Sequence, residues 1–128
     1  MVTHFLVVSD QDRSRDSCRS VSGATVVLER DPVILKIASS WLILNAGGGP
    51  TGDKPAVTLA PPAGPGHASA FLNIRVADIA AAYAQWPAKG AGFLTGPKDH
   101  ASEIRAYIRD PDGHLIEAGQ AKARPGSP

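Results

Sequence analysis

The sequence has little of several features that would narrow its function. Only one of its 128 residues is cysteine, so no internal disulfide can form, which agrees with a reducing compartment. Its 13 basic and 12 acidic residues are spread along the chain and leave a formal net charge of +1. Because no basic stripe is present, we expect no nucleic-acid partner and no anionic membrane partner.

Long hydrophobic runs are also missing. Apolar residues make up 43% of the chain, yet no run approaches the roughly 20 residues that a membrane helix needs. The amino terminus lacks the charged and apolar regions of a signal peptide. We therefore predict a cytoplasmic protein with one domain, long enough to bury a core.

The most informative stretch that is present runs from Tyr107 to Gln120. Asp110-Pro111-Asp112-Gly113 predicts a tight turn, because proline fixes a negative φ and glycine tolerates a positive one. The flanking segments should form a hairpin. Period-two alternation places Leu115 and Glu117 on one face of the second strand. The other face should hold His114, Ile116 and Ala118. The carboxylate of Glu117 is the best functional clue.

The chain also repeats itself. A short apolar strand ends at Asp10 and another ends at Asp78, 68 residues later. Each aspartate should cap a helix, and each helix should end near a Gly-Ala pair, at Gly23 and at Gly90. Further strands are predicted at Thr25 to Arg30, Val33 to Ala38, Trp41 to Asn45, Phe93 to Thr95, Glu103 to Arg109 and His114 to Ala118. Both halves thus read β-α-β-β-β, an α+β fold.

The two predicted helices differ in their apolar faces. The second, from Ile79 to about Lys89, has a stripe that should cover its sheet, formed by Ile79, Ala82, Tyr83 and Trp86. Pro87 should mark or kink its last turn. The first, from Gln11 to about Val21, offers only Cys18 and Val21 as anchors, so we expect it to dock weakly.

We divide the predicted domain, residues 1–121, into module one (1–46), a linker (47–68) and module two (69–121). The linker contains many glycines and prolines, and Val57 to Leu59 could form a short edge strand. Residues 122–128 are expected to be a disordered tail.

The duplicated modules, the strand-Asp-helix-Gly openings and the closing Asp-Pro-Asp-Gly-His-Leu-Ile-Glu hairpin resemble the vicinal oxygen chelate superfamily. This superfamily contains glyoxalase I, bleomycin-resistance proteins and extradiol dioxygenases. The resemblance extends from Thr3 to Gln120. It implies that each module curls into a half-open barrel, that paired modules enclose a cleft and that the protein is a homodimer. It does not identify a reaction, because one scaffold serves many chemistries.

Metal-dependent members of the superfamily hold a divalent ion with one ligand on the first strand and one on the last strand of each module. Carried onto this sequence, the first-strand positions fall on Thr3 and Phe71, and the last-strand positions on Leu44 and Glu117. Glu117 alone is a suitable ligand. We therefore expect no cofactor, with a divalent metal at Glu117 as the alternative. His4 is disfavoured as a ligand, because alternation turns it toward the helix.

The same alternation predicts a ligand-binding face. Its members are Phe71, Asn73, Arg75, Arg105, Tyr107 and Glu117, a mixture that suits a small aromatic or anionic ligand. An ion pair between Arg105 and Glu117 would instead give the carboxylate a structural role. His114 is expected to be structural, and His67 and His100 fall in predicted loops.

Three functions remain open. The first is a binder of small organic molecules that uses no complete metal site. The second is a metal-dependent lyase, isomerase or dioxygenase in which Glu117 is a metal ligand or a catalytic acid or base. The third is an interaction module that has lost its chemistry. Whether the protein is an enzyme is left undecided by the sequence.

Overall fold

The computed structural model describes residues 1–122, and its contacts divide the chain into two units. Unit 1 contains residues 1–66 together with 111–113, and unit 2 contains residues 67–110 and the chain from His114 onward. Each unit carries one β-α-β-β-β module, with one additional short strand in unit 2. The predicted α+β class and the tandem modules are confirmed.

Unit 1 forms a four-stranded sheet with one helix. Its elements are β1 (Thr3–Val7), α1 (Gln11–Ser22), β2 (Thr25–Leu28), β3 (Val33–Ile37) and β4 (Ser40–Asn45). The strand order is β1-β4-β3-β2, with β1 parallel to β4 and the other neighbours antiparallel. Helix α1 contacts β2, β3 and β4. The buried residues of these strands lie on paired positions, Val33 opposite Leu44 and Leu35 opposite Leu42, and form the core.

Both ends of α1 follow the predicted chemistry. The Asp10 carboxylate accepts a hydrogen bond from the Arg13 amide at 3.0 Å, and Gly23 ends the helix with φ of 71°. The buried residues of the helix are Ser14 and Val21. Of the two predicted anchors Val21 is buried, whereas Cys18 is only half-buried and Ser14 is the second buried residue. The Ser14 hydroxyl lies 3.3 Å from the carboxylate of Asp112, so this contact is polar rather than apolar.

Unit 2 forms a five-stranded sheet. Its elements are β5 (Leu72–Arg75), α2 (Ile79–Gln85), a 3₁₀ helix (Trp86–Lys89), β6 (Gly92–Phe93), β7 (Lys98–Asp99), β8 (Glu103–Arg109) and β9 (Leu115–Ala121). The main path runs β5-β9-β8-β6, and β7 pairs with β8. β5 is parallel to β9, and the hairpin of β8 and β9 is antiparallel, as expected. Gly113 in its turn has the predicted positive φ, at 89°.

The core of unit 2 combines buried isoleucines and alanines with partly buried aromatic residues. Ile79, Ala106 and Ala118 are buried together. Trp86 stacks on Phe93 with ring centroids 6.1 Å apart. The predicted stripe on the second helix is confirmed at its buried positions, although Tyr83 is 42% exposed. The α-helix ends one turn earlier than predicted, because the segment containing Pro87 is wound as a 3₁₀ helix.

Two expectations outside the main elements are corrected. Val57 to Leu59 is not a strand, since only Leu59 pairs, as an isolated bridge to Gly48. In the run of three glycines, position 47 requires glycine, because a Cβ on Gly47 would collide with the backbone carbonyl of Leu59. The short strand β7 was not predicted, as its two residues carry no alternation.

The predicted disordered tail, 122–128, lies outside the described residues except for Lys122. The Lys122 amide donates to the Ser102 carbonyl at 3.0 Å. Among residues 1–122, no helix is both long and apolar enough to cross a membrane.

Candidate functional site

The predicted ligand-binding residues of unit 2 lie on one face of its sheet. Register pairs Asn73 on β5 with Glu117 on β9, and Glu117 with Tyr107 on β8. Directly paired residues point to the same face, so these three side chains form a row across the three strands, which we call the polar row. The opposite face holds the core residues Ala106 and Ala118.

Glu117 is the buried centre of the polar row, with only 4% of its surface exposed. The Asn73 side-chain amide donates a hydrogen bond to its Oε1 at 2.9 Å. The Tyr107 hydroxyl makes a second hydrogen bond to the carboxylate. Both donors are neutral, and among residues 1–122 the Glu117 carboxylate forms no ion pair with Lys, Arg or His. A buried carboxylate therefore lies here without a positive partner, which is costly for the fold.

The buried carboxylate of Glu117 changes the pKa of Tyr107. The hydrogen bond to Glu117 comes first among the causes that raise the pKa of the Tyr107 phenol above 10.0, and burial and the charge of Glu117 act in the same direction. Its ring also meets Phe71 edge to face, with centroids 5.9 Å apart. Because Phe71 is 48% exposed, this aromatic pair offers apolar surface beside the carboxylate.

The arginines of this face pair with a residue that the sequence reading had not singled out. Glu103 receives Arg75 Nη1 at 2.9 Å on one oxygen and Arg105 Nη1 at 3.2 Å on the other. The hydrogen bonds from Arg75 and then Arg105 lower the pKa of the Glu103 carboxyl. The alternative ion pair between Arg105 and Glu117 is therefore wrong, because Glu103 lies two residues from Arg105 on the same strand face and takes its guanidinium.

Gly119 is the second residue that the sequence reading missed. It lies between Arg75 and Arg105 in the register, two residues along β9 from Glu117. A Cβ built on Gly119 would collide with Arg75 Nη1 and lie 3.0 Å from its Cζ. Because glycine has no side chain, Arg75 can cross β9 at this position and reach Glu103. The cross-strand register would have revealed both Glu103 and Gly119, because it places them on the same face as the arginines.

None of the four histidines is a member of the polar row. His4 is exposed in unit 1 and pairs with buried Leu42, so it shares the helix-side face, as alternation predicts. His114 precedes β9, and its amide donates to the Asp110 carboxylate at 2.7 Å. His67 and His100 lie outside the strands.

Unit 1 shows which residues are equivalent to the polar row. The amide of Val8 donates to the Asn45 carbonyl at 3.0 Å, and the amide of Val76 donates to the Gly119 carbonyl at 2.9 Å. Because both units make this hydrogen bond, it fixes which residues of unit 1 and unit 2 are equivalent. It follows that Phe5, Ile43 and Ile34, which pair across β1, β4 and β3, form the equivalent apolar row.

The position equivalent to Glu117 is therefore Ile43. Our assignment of Leu44 is wrong by one residue, because Leu44 is fully buried on the helix side. An aliphatic residue stands at the position in either alignment, so unit 1 supplies no carboxylate there.

Residues 2–118 match the Glyoxalase/Bleomycin resistance protein/Dioxygenase superfamily. The chain belongs to this superfamily. A comparison with curated protein sequences found no match.

Solved structures of three other proteins share the fold. A structure from the mobile metagenome of V. Pseudocholerae is 22% identical, with a TM-score of 0.75, covering 96% of this chain and 95% of that chain. The fosfomycin resistance protein FosX from Mesorhizobium loti is 15% identical, with a TM-score of 0.69, covering 95% and 92%. TnmS3, an antibiotic binding protein from Streptomyces sp. CB03234, is 19% identical, with a TM-score of 0.68, covering 95% and 97%. At these identities the likeness shows the glyoxalase-like fold alone.

The divalent ion implied by the superfamily does not fit the residues present. Of the positions carried over from its metal-dependent members, only Glu117 offers a suitable oxygen, beside Thr3, Phe71 and Ile43. Asn73 and Tyr107 direct hydrogen-bond donors at that carboxylate and occupy lone pairs that a metal would need. No group of three His, Cys, Asp or Glu side chains suited to a metal ion occurs among the described residues. Useful affinity needs several preorganised donors, so this donor set is poor for a divalent cation.

Proposed function

We propose that this superfamily member binds a small organic molecule on the polar face of unit 2 and does so without a complete metal site. The observation that carries the proposal is Glu117, a buried carboxylate held by two neutral donors with no positive partner among the described residues. Buried charges of this kind are expensive, and they concentrate at functional sites. The exposed aromatic surface of Phe71 beside it would contact the apolar part of a ligand.

Two structural relatives support the proposal by analogy. TnmS3 is described as an antibiotic binding protein and FosX as a fosfomycin resistance protein. We extend from them only the general idea that this fold holds small organic compounds. Neither compound is proposed as the ligand here.

The test is a thermal-shift screen of a library of small organic compounds, followed by calorimetry on the hits. A compound that binds only the folded protein raises its melting temperature. We expect hits whose affinity falls at least about tenfold in Glu117→Gln, since one charge-assisted hydrogen bond is worth roughly 1.5 to 3 kcal/mol. Glu29→Gln is the matched control, because the Glu29 side chain is 68% exposed in unit 1. A library without hits, or hits indifferent to Glu117→Gln, would defeat the proposal.

The alternative is a metal-dependent lyase, isomerase or dioxygenase that uses Glu117. It is favoured by the position of Glu117, which matches a metal-ligand position of the superfamily. The metal content of tag-free protein, with melting scans in manganese, nickel, zinc, cobalt and ferrous iron, decides between the two. We expect no stoichiometric ion and no rise in melting temperature. A stoichiometric ion, with a rise lost in Glu117→Gln, would put the enzyme first.

We further propose a cytoplasmic homodimer. The single cysteine supports a reducing compartment. Exposed apolar side chains in unit 1 support self-association, among them Phe5 at 49%, Val27 at 52% and Leu28 at 43% exposed. Light scattering coupled to size-exclusion chromatography should give twice the chain mass, and a Phe5→Glu variant should shift the protein toward the monomer.

A further inference from the structure

The polar row is followed by a second row on the same face of unit 2. Arg75, Gly119 and Arg105 pair across β5, β9 and β8, two residues along from Asn73, Glu117 and Tyr107. Rows separated by two residues lie about 7 Å apart along the strands. The two rows differ in charge, and this difference defines the kind of ligand that the face would accept.

The polar row carries a negative charge that forms no ion pair among the described residues. Glu117 is buried, while Asn73 beside it is exposed and Tyr107 is half-buried. A charge beneath the surface is screened less than a charge in water. A cationic group resting against Asn73 and Tyr107 would therefore feel the attraction of Glu117 without having to displace its hydrogen bonds.

The second row carries an excess positive charge. Arg75 and Arg105 share the single carboxylate of Glu103, so the cluster has a net charge of +1. Their side chains are 49% and 37% exposed. Each guanidinium has five N–H donors, and the contacts with Glu103 use one nitrogen of each. Among the described residues, both arginines retain donors that could bind an anionic group of a ligand.

We propose that this face selects a zwitterion whose ammonium and carboxylate groups are held about 7 Å apart by an apolar or aromatic spacer. The ammonium group lies over Asn73 and Tyr107, the carboxylate meets Arg75 and Arg105, and the spacer bridges the two rows along β9. Gly119 is a positioning residue for this specificity, because its missing side chain leaves room for the Arg75 guanidinium. The inference deepens the proposed function and rests on it.

The test uses 4-(aminomethyl)benzoate as the probe, with 4-methylbenzoate and benzylamine as controls that each lack one charge. Binding is measured by calorimetry and by shifts of backbone amide resonances. We expect the zwitterion to bind at least about tenfold, or about 1.4 kcal/mol, more tightly than either control, because each control lacks one of the two charged contacts. The shifted amides should lie on β5, β8 and β9.

Two variants separate the two ends of the probe. Glu117→Gln should reduce binding of the zwitterion to that of 4-methylbenzoate, while binding of 4-methylbenzoate itself stays unchanged. Gly119→Ala should displace Arg75 without removing its charge, because the colliding atoms are the far end of a flexible side chain. It should weaken zwitterion binding toward that of benzylamine, since Arg105 keeps its own contact, and leave benzylamine unaffected. Backbone spectra of both variants report whether the fold is kept.

The outcomes distinguish this inference from the proposed function. A probe that binds no better than its singly charged controls, or does not bind at all, overturns the zwitterion. If library compounds still bind in a Glu117-dependent manner, the proposed function survives that result. If no library compound binds either, both fail together.

Discussion

Equivalent positions in the two units hold opposite chemistry. The row across β1, β4 and β3 is Phe5, Ile43 and Ile34, whereas the row across β5, β9 and β8 is Asn73, Glu117 and Tyr107. Strand pairing and helix position are shared, so the backbone does not dictate these residues. The module needs apolar side chains only beneath its helix, and its other face is free to become a binding surface or to remain apolar.

The helix-side cores also differ. Unit 1 buries Val33, Leu35, Leu42 and Leu44, with three of them at 0% exposure. On its strands unit 2 buries two isoleucines, Ile108 and Ile116, beside two alanines, Ala106 and Ala118, with aromatic neighbours such as Phe93. We infer that unit 1 depends more strongly on close packing of individual aliphatic side chains.

The largest expected effect tests the close packing of unit 1. Leu44→Ala should lower the free energy of unfolding by about 2 to 5 kcal/mol, because it removes a fully buried side chain and leaves a cavity. Urea denaturation followed by circular dichroism measures the loss. Leu59→Ala, at a position that is 37% exposed, is the control and should cost much less. Equal losses in both variants would contradict the packing argument.

The next effect comes from moving the carboxylate into the other unit. Ile43→Glu should cost roughly 1 to 3 kcal/mol at neutral pH, because Phe5 and Ile34 offer no side-chain donor to a half-buried carboxylate. The apolar site should raise the pKa of the new carboxyl, so protonation in mild acid should recover part of the loss.

Ile43→Gln is the matched neutral variant for that experiment. Its stability should vary with pH as the wild type does. If Ile43→Glu is as stable as the wild type at neutral pH, the two rows are less different than their residues indicate.

A smaller loss is expected from the donors in unit 2. Asn73→Ala should cost about 1 kcal/mol, because Glu117 loses one hydrogen bond while exposure of the site lets water replace part of it. Urea denaturation again gives the value. Asn45→Ala in unit 1 is a control at another strand residue with a hydrogen-bonding side chain. If Asn73→Ala leaves the free energy of unfolding unchanged, water replaces the hydrogen bond from Asn73 to Glu117 in full.

Much of this architecture was predictable from the sequence, for identifiable reasons. Asp10 and Asp78 cap helices, Gly23 and Gly113 have positive φ, and alternation separates Glu117 from Ile116 and Ala118. These features depend on a few neighbouring residues, so local chemistry is enough to predict them.

The errors arose where distant residues decide the outcome. The register between β1 and β4 fixed Ile43, not Leu44, as the equivalent of Glu117. The partner of Arg105 depended on the competing carboxylate of Glu103, and the route of Arg75 depended on the empty space at Gly119. Cross-strand pairing was needed for each of these, and sequence spacing alone does not provide it.

The smallest effect is a titration that reports directly on the polar row. The pKa of Tyr107 is raised, chiefly by its hydrogen bond to Glu117. A raised folded-state pKa means that the protonated phenol stabilises the fold. This contribution is complete below the ordinary value of 10.0 and is lost as the pH rises through the higher folded-state pKa.

The difference in tyrosinate absorbance between wild type and Tyr107→Phe isolates this group from Tyr83, the other tyrosine. We expect Glu117→Gln to lower the pKa of Tyr107 toward its ordinary value, because a neutral amide accepts the phenol hydrogen bond more weakly and repels the phenolate less. Ile43→Gln should leave the titration unchanged, since it alters the apolar row of unit 1. If Glu117→Gln leaves the pKa of Tyr107 unchanged, the Glu117 charge does not control the polar row, and the argument for a cationic ligand group there loses its electrostatic basis.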